Sequence, residues 1–185
     1  CIENNEIKSL KPFHPKKIRP CIFEYIYFSR PDSILNGKTA YEYRKKFGEY
    51  LANEDVVDAD VVVPVPDSGN AAALGYSQKK GITFDLGLIR NHYVGRTFIE
   101  PGQKIRSLGV KLKLNANKSS IKNKKIILVD DSLVRGTTSE KIVKMLYDGG
   151  AKEVHMRIAC PEIKYPYFYG VDMPTKKELL AANKS

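Results

Sequence analysis

Two short runs in the chain are apolar at every position: Val61–Val63 within ADVVVPVP (59–66), and Ile126–Val129 within KKIILVD. An unbroken run of this kind marks a strand covered on both faces, as in a parallel sheet. Each run stops at turn-forming residues, PDSGN after the first and DDSLVRG after the second. Helical spacing follows both times. AAALGYSQKK leads to Gly81, and residues 138–148 place Ile142, Val143 and Leu146 at i, i+1 and i+4 before Gly149 and Gly150 end the segment. EVHMRIA and ITFDLGLI read as further strands. So does IFEYIYFSR (22–30), rich in aromatic and β-branched residues and stopped by PDSILNG. Thr39 and Glu42 have capping-box spacing ahead of AYEYRKKFGEYLANE, a helix expected to turn Ala40, Phe47 and Leu51 inward. Thr175 and Glu178 repeat that spacing before a short terminal helix. Strands alternating with helices predict an α/β fold, a parallel sheet with helices on its faces.

Two regions lack a period. Residues 1–20 are polar, basic and punctuated by proline, the pattern of a linker or edge segment. From Arg90 to about Lys124 glycines, a proline and many charges interrupt every template. A structureless stretch of that length is expected to be a lid, a binding loop or disorder.

Composition narrows the class. The chain has 185 residues, 42% hydrophobic and 28% charged, which suits one globular domain. No apolar run approaches the roughly 20 residues that span a bilayer, and CIENNEIKSL has neither the basic start nor the apolar stretch of a secretory signal. A membrane location is therefore not expected. Cys1, Cys21 and Cys160 form no C-x-x-C pair and no even set, which favours idle thiols in a reducing cytoplasm. The formal charge of +10 gathers in lysine runs such as KLKLNANKSSIKNKK. Those runs carry few aromatics and no nucleic-acid motif, so they suit a solvated basic face or attraction of a small polyanion better than nucleic acid.

The chemistry concentrates in DDSLVRGTTS. In open parallel sheets, ligands sit beyond the carboxyl ends of the strands, where this loop falls. Thr137, Thr138 and Ser139 offer hydroxyls, the helix start offers free N–H groups, and Gly136 lets an anion approach the backbone. Thr137 with Glu140 could instead be a plain capping box. Capping does not explain Asp130 and Asp131, which would repel a phosphate unless hydroxyls or a cation intervene. A sugar phosphate satisfies both halves: its phosphate lies over 135–139, and the carboxylates face ribose hydroxyls or a hydrated Mg²⁺. The spacing is neither a P-loop nor G-x-G-x-x-G.

VDDSLVRGTTS resembles the signature of the phosphoribosyltransferases that use 5-phosphoribosyl 1-pyrophosphate. YVGRTFI, CIFEYIYFSRPDS and YGVDMP extend the likeness, nearly from Ile22 to the end, to the glutamine phosphoribosylpyrophosphate amidotransferase family. That resemblance implies a type I phosphoribosyltransferase fold with a long flexible loop, Mg²⁺ as cofactor, and transfer of ammonia to C1 of phosphoribosyl pyrophosphate in purine biosynthesis. It implies that Asp130 and Asp131 contact ribose and Mg²⁺. Arg135, Gly136, Thr137, Thr138 and Ser139 correspond to the 5-phosphate loop. Pro66, Asp67 and Ser68 correspond to the pyrophosphate loop, with Ser68 a Mg²⁺ contact; its alternative is a helix N-cap. Tyr93 opens the flexible loop, which on closing would carry Arg96, as a catalytic cation, and Arg106 toward the pyrophosphate.

The resemblance also has edges. Residues 1–20 look like a glutaminase-domain remnant and linker, and 21–185 like a phosphoribosyltransferase domain cut short at its end. Cys1 is not expected to be the glutaminase nucleophile, and the resemblance leaves two sources of nitrogen, free ammonia or a glutaminase on a separate chain. Tyr167 stands where cluster-bearing members have cysteine, so no iron–sulfur cluster is expected. A homo-oligomer is expected. The competing readings are a non-catalytic module that binds phosphoribosyl pyrophosphate or nucleotides, and a salvage transferase acting on a nucleobase.

Overall fold

A computed structural model describes residues 1–54, 56–92, 113–167 and 175–183. Two small antiparallel hairpins lie in the first forty residues: β1 (Ile2–Glu3) with β2 (Glu6–Ile7), and β3 (Ile34–Leu35) with β4 (Lys38–Thr39). Helix α1 (Ala40–Glu54) follows, then β5 (Val61–Pro64), α2 (Asn70–Lys80) and β6 (Leu88–Arg90). After the residues not described come β7 (Leu114–Ala116), the short α3 (Lys118–Ile121), β8 (Lys125–Asp130), α4 (Thr137–Asp148) and β9 (Glu153–Ile158). A 3₁₀ turn, Lys176–Glu178, leads into the four-residue α5 (Leu180–Asn183).

The central sheet is parallel, in the order β5–β8–β9, with β8 in the middle. Its two apolar runs sort their side chains by parity, as the pleat demands. Val61, Val63, Ile126 and Leu128 face Ile142 and Leu146 of α4, while Val62, Ile127 and Val129 face Ala72, Ala73 and Tyr76 of α2. All of these are fully or nearly fully buried. Burial of each large side chain contributes about 1.5–3 kcal/mol, and the coverage of both faces explains why no polar residue interrupts either run.

On one face, α1 and α2 pack backbone to backbone. A Cβ added at Gly48 would lie 1.8 Å from the Ala72 carbonyl oxygen, and one at Gly75 would lie 1.9 Å from that of Lys45. The buried stripe of α1 is accordingly Ala40, Arg44, Gly48 and Ala52, one residue every four. Ala40 is inward as the periodicity predicts, but Phe47 and Leu51 are only half-buried beside the stripe. Helix contact at this distance selects small residues, and a hydrophobicity pattern does not register them.

Several local expectations hold. Thr39 and Glu42 form the reciprocal capping box, with Thr39 N–H to Glu42 Oε2 at 2.8 Å and Glu42 N–H to Thr39 Oγ1 at 3.2 Å. Gly81 closes α2 in the left-handed region at φ 72°, its N–H on the Ser77 carbonyl. Others do not. Residues 22–28 are helical, with a π-turn at Glu24–Phe28 rather than a strand. Phe23 and Ile26, three apart, both turn to the interior, and the Arg44 guanidinium caps the turn by donating to the Tyr25 and Ser29 carbonyls at 3.0 and 2.6 Å. Tertiary packing overrides the β-propensity of the aromatics. ITFDLGLI divides at Gly87: Phe84 touches Val62 as an isolated parallel bridge, while β6 pairs antiparallel with β7 in a separate sheet. A side chain at Gly87 would strike Val63 and Ile121, so the chain bends there under the core. The 90–124 stretch thus begins and ends in structure, through β6, β7 and α3, elements too short to show a period. Thr175 makes no side-chain cap either, so the second capping box is absent.

Candidate active site at the carboxyl edge of the sheet

Parallel strands deliver their C-terminal turns to one edge. The β5–β8 register pairs Pro64 with Val129, so the turn 65–69 and the turn 130–136 emerge side by side. The Val65 N–H extends the ladder to the Val129 carbonyl at 2.8 Å. Gly69 then folds back, its N–H on the Val65 carbonyl at 3.0 Å. A Cβ on Gly69 would sit 2.6 Å from the Val129 oxygen and 2.8 Å from that of Val65. Glycine is therefore required for the first turn to lie against the end of β8. Sequence reading took Ser68 from PDSGN and passed over Gly69, whose signal was only its place beside two turn residues.

Asp130 ends β8, and Asp131, 6% exposed, begins the turn. Burial pushes the Asp130 carboxyl up to about 7, the Asp131 charge adds to that, and the hydrogen bond from the Asp131 N–H opposes it. Burial also raises Asp131, against three groups that favour its anion: the Ser132 hydroxyl, the Ser68 hydroxyl and the nearby Arg44 guanidinium. The Ser68 bond joins the two turns. It also removes the N-cap alternative for Ser68, since Gly69 occupies the cap of α2 and no side chain bonds there. Arg44, buried on α1, was legible in sequence only as a helix residue; its proximity to Asp131 exists only in the fold.

The second half of the turn leads into α4. Gly136 caps α4 in the left-handed region at φ 80°, and no side chain caps the helix, so the Thr137–Glu140 capping box does not form. The Glu140 N–H reaches the Gly136 carbonyl at 3.0 Å. As at any helix start, the N–H groups of Thr137, Thr138 and Ser139 have no intrahelical acceptor. Thr137 and Thr138 are exposed and Ser139 is buried. Arg135 is exposed, with its Nε 3.7 Å from the Glu178 carboxylate.

Asp67 accepts a hydrogen bond from Arg90 at the end of β6, which ties the turn containing Pro66, Asp67 and Ser68 to the strand entering residues 93–112. The Arg90 Nε is buried and has no hydrogen-bond partner among the described residues. Tyr93, Arg96 and Arg106 lie outside the described residues, as does YGVDMP. Among the described residues, no group of three His, Cys, Asp or Glu side chains could cage a metal ion.

An acidic pair of half-buried Asp130 and buried Asp131, a hydroxyl reaching across to it, and a helix start with free N–H groups share one edge of a parallel α/β sheet. This is the type I phosphoribosyltransferase architecture. No protein-family profile matches the chain. Individual proteins do. It is 59% identical over 175 residues to the amidophosphoribosyltransferase of Rhizobium etli, which covers 95% of the chain and 35% of that protein. To that of Methanocaldococcus jannaschii it is 58% identical over 89% of the chain, again 35% of the relative. It also superposes on the glutamine phosphoribosylpyrophosphate amidotransferase of B. subtilis complexed with ADP and GMP, with a TM-score of 0.79 and 52% identity over 89% of the chain and 36% of the other. The chain belongs to the amidophosphoribosyltransferase family, as its phosphoribosyltransferase segment, and spans about a third of the length of these relatives.

Proposed function

We propose that the chain performs the phosphoribosyl half of amidophosphoribosyl transfer: ammonia displaces pyrophosphate from C1 of 5-phosphoribosyl 1-pyrophosphate, giving 5-phosphoribosylamine for purine synthesis. The observation that carries the reading is the Ser68–Asp131 contact beside the start of α4. It brings an acidic pair for a ribose and a cradle for a phosphate to one edge.

In this reading the free N–H groups of Thr137, Thr138 and Ser139 and their hydroxyls bind the 5-phosphate, at the positive end of α4. Asp130 and Asp131 accept hydrogen bonds from the ribose hydroxyls and hold the ring with C1 toward the turn 66–69. The donor set fits Mg²⁺: two crowded carboxylates and the Ser68 hydroxyl leave the remaining positions to substrate oxygens and water, as that ion prefers. Bound Mg²⁺ would supply charge neutralisation to the departing pyrophosphate. The C1–O bond breaks with its electron pair on pyrophosphate, the nitrogen lone pair forms the C1–N bond, and the new ammonium sheds a proton to water. Asp67, held by Arg90, orients the turn facing the pyrophosphate; Tyr93 and Arg96 are assigned to closing over it. No side chain of the chain acts as nucleophile.

The ammonia source is a glutaminase outside these 185 residues, and self-association is the proposed state. Three free thiols suit a reducing compartment such as the cytoplasm. Among the described residues no helix is long and apolar enough to cross a membrane. Relatives from Glycine max and Arabidopsis are named chloroplastic.

The test is pyrophosphate release from phosphoribosyl pyrophosphate with ammonium and Mg²⁺. Release that depends on all three supports transfer. Tight binding with no release identifies a non-catalytic module instead, and release only with a free nucleobase identifies a salvage enzyme.

A further inference from the structure

The turn 134–136 is held from outside by a segment distant in sequence. The Leu180 N–H donates to the Val134 carbonyl at 2.9 Å. The Glu178 carboxylate lies 3.7 Å from Arg135 Nε. The Leu180 side chain lies against Gly136: a Cβ added there would be 3.2 Å from Leu180 Cδ2. Three consecutive turn residues thus meet two residues of one segment, through a backbone bond, an ion pair and an apolar contact. The segment is itself anchored, because Leu179 is fully buried with Phe23 and Ile163, and Val134, Cys21, Cys160 and Ala182 pack against that cluster. The Asn183 side-chain amide closes it by donating to the Lys177 and Leu179 carbonyls at 2.9 and 2.8 Å.

A turn that binds a phosphate through backbone N–H groups works only while its backbone keeps one shape. Gly136 at φ 80° has the freedom of glycine and no side chain of its own to restrain it. The geometry points to the segment Lys176–Asn183 as the buttress that holds the 5-phosphate turn in its binding conformation, with Glu178 and Leu180 as positioning residues. This rests on the phosphoribosyl reading of the site. Arg135 belongs to the buttress contact: its side chain lies toward Glu178, and its part in phosphate binding runs through the turn it fixes.

The buttress touches residues 134–136, whereas the pyrophosphate turn 66–69 is held by Val65, Val129 and Arg90 and meets the second turn at Asp131, through Ser68, ahead of the buttressed residues. Its loss should therefore divide the two ends of the substrate. The experiment measures binding of ribose 5-phosphate and, separately, of magnesium pyrophosphate to the 185-residue chain by calorimetry. Expected for Leu180→Ala is a loss of about tenfold in ribose 5-phosphate affinity, the equivalent of ~1.4 kcal/mol. Magnesium pyrophosphate affinity should change less than about twofold, and Leu180→Met should restore the first value. Glu178→Gln, an exposed and isosteric change, should weaken ribose 5-phosphate by a smaller factor that shrinks with added salt. A parallel fall in both affinities, or no change in either, overturns the inference. Should Leu180→Ala not fold, an unchanged ribose 5-phosphate affinity in Glu178→Gln overturns it. If the unsubstituted chain binds neither probe, the phosphoribosyl reading falls and this inference falls with it. Binding by the parent that the variants leave unaltered removes the buttress alone.

Discussion

The Ser68 hydroxyl reaches the Asp131 carboxylate and favours its anion, so the turn after β5 closes on the acidic pair at the end of β8. The contact crosses between neighbouring parallel strands and sets the spacing between the parts proposed to hold pyrophosphate and ribose. Removing it tests whether that spacing matters. Ser68→Ala should lower Mg²⁺-dependent pyrophosphate release by about 10- to 100-fold, the size expected when a group orienting a metal-binding carboxylate is lost. Ser68→Thr, which keeps the hydroxyl, should retain most of it. Equal rates in parent and alanine variant would remove Ser68 from the site.

The acidic pair makes stability depend on pH in a defined direction. In the folded chain Asp130 keeps its proton up to about 7, whereas an ordinary aspartate releases it near 3.8. Between those values the native state binds more protons than the unfolded one. The contribution is therefore fully present at low pH and is lost as pH rises toward 7. The cost reaches at most roughly 4 kcal/mol, shared with the coupled Asp131. Asp130→Asn should raise the melting temperature measured without Mg²⁺, by more at pH 8 than at pH 5, while abolishing turnover. A constant difference across that range would show that the pair carries no such penalty.

Gly69→Ala places a methyl group 2.6 Å from the Val129 carbonyl oxygen. The atoms it meets are backbone on both sides, so the turn must shift. Loss of magnesium pyrophosphate binding is expected, with a destabilisation of about 1–3 kcal/mol in urea unfolding. Affinity within twofold of the parent would show that the turn tolerates the displacement.

Gly48→Ala tests the contact between α1 and α2. Its methyl group would meet the Ala72 carbonyl oxygen at 1.8 Å and force α1 away from α2. Thermal melting should fall by several degrees, corresponding to about 2 kcal/mol or more. The melting temperature of the parent would contradict the backbone contact.

Arg44→Met keeps the aliphatic length and removes the charge. The Tyr25 and Ser29 carbonyls lose their donor, and Asp131 loses the cation that favours its anion. A destabilisation of about 1–3 kcal/mol is expected, and the substitution should raise the apparent pKa of the acidic pair in pH–rate profiles. An unchanged profile would place Arg44 in structure alone.

Local signals were legible wherever one residue's physics sufficed. The apolar runs announced strands covered on both faces because β8 is central and covered by helices on either side. Thr39 with Glu42 begins α1, and Gly81 ends α2, as spacing alone says they should. The acidic pair and the hydroxyl-rich turn after it were legible together because they share one short loop of sequence. Reading failed where a neighbour distant in sequence decided. Residues 22–28 are helical because Arg44 caps the turn and the core takes Phe23 and Ile26. Gly69 and Gly48 are required by carbonyl oxygens on other elements, and no pattern within their own segments shows this.

The order of polar and apolar residues was enough to establish the parallel sheet, the turns at its edge and the chemical character of each turn, because all three follow from periodicity and from single side chains. Which turns touch, which carboxylate holds its proton and which segment lies against the turn 134–136 were decided by folding alone. Burial, dielectric and hydrogen-bond geometry depend on the distance between parts that the linear chain keeps far apart.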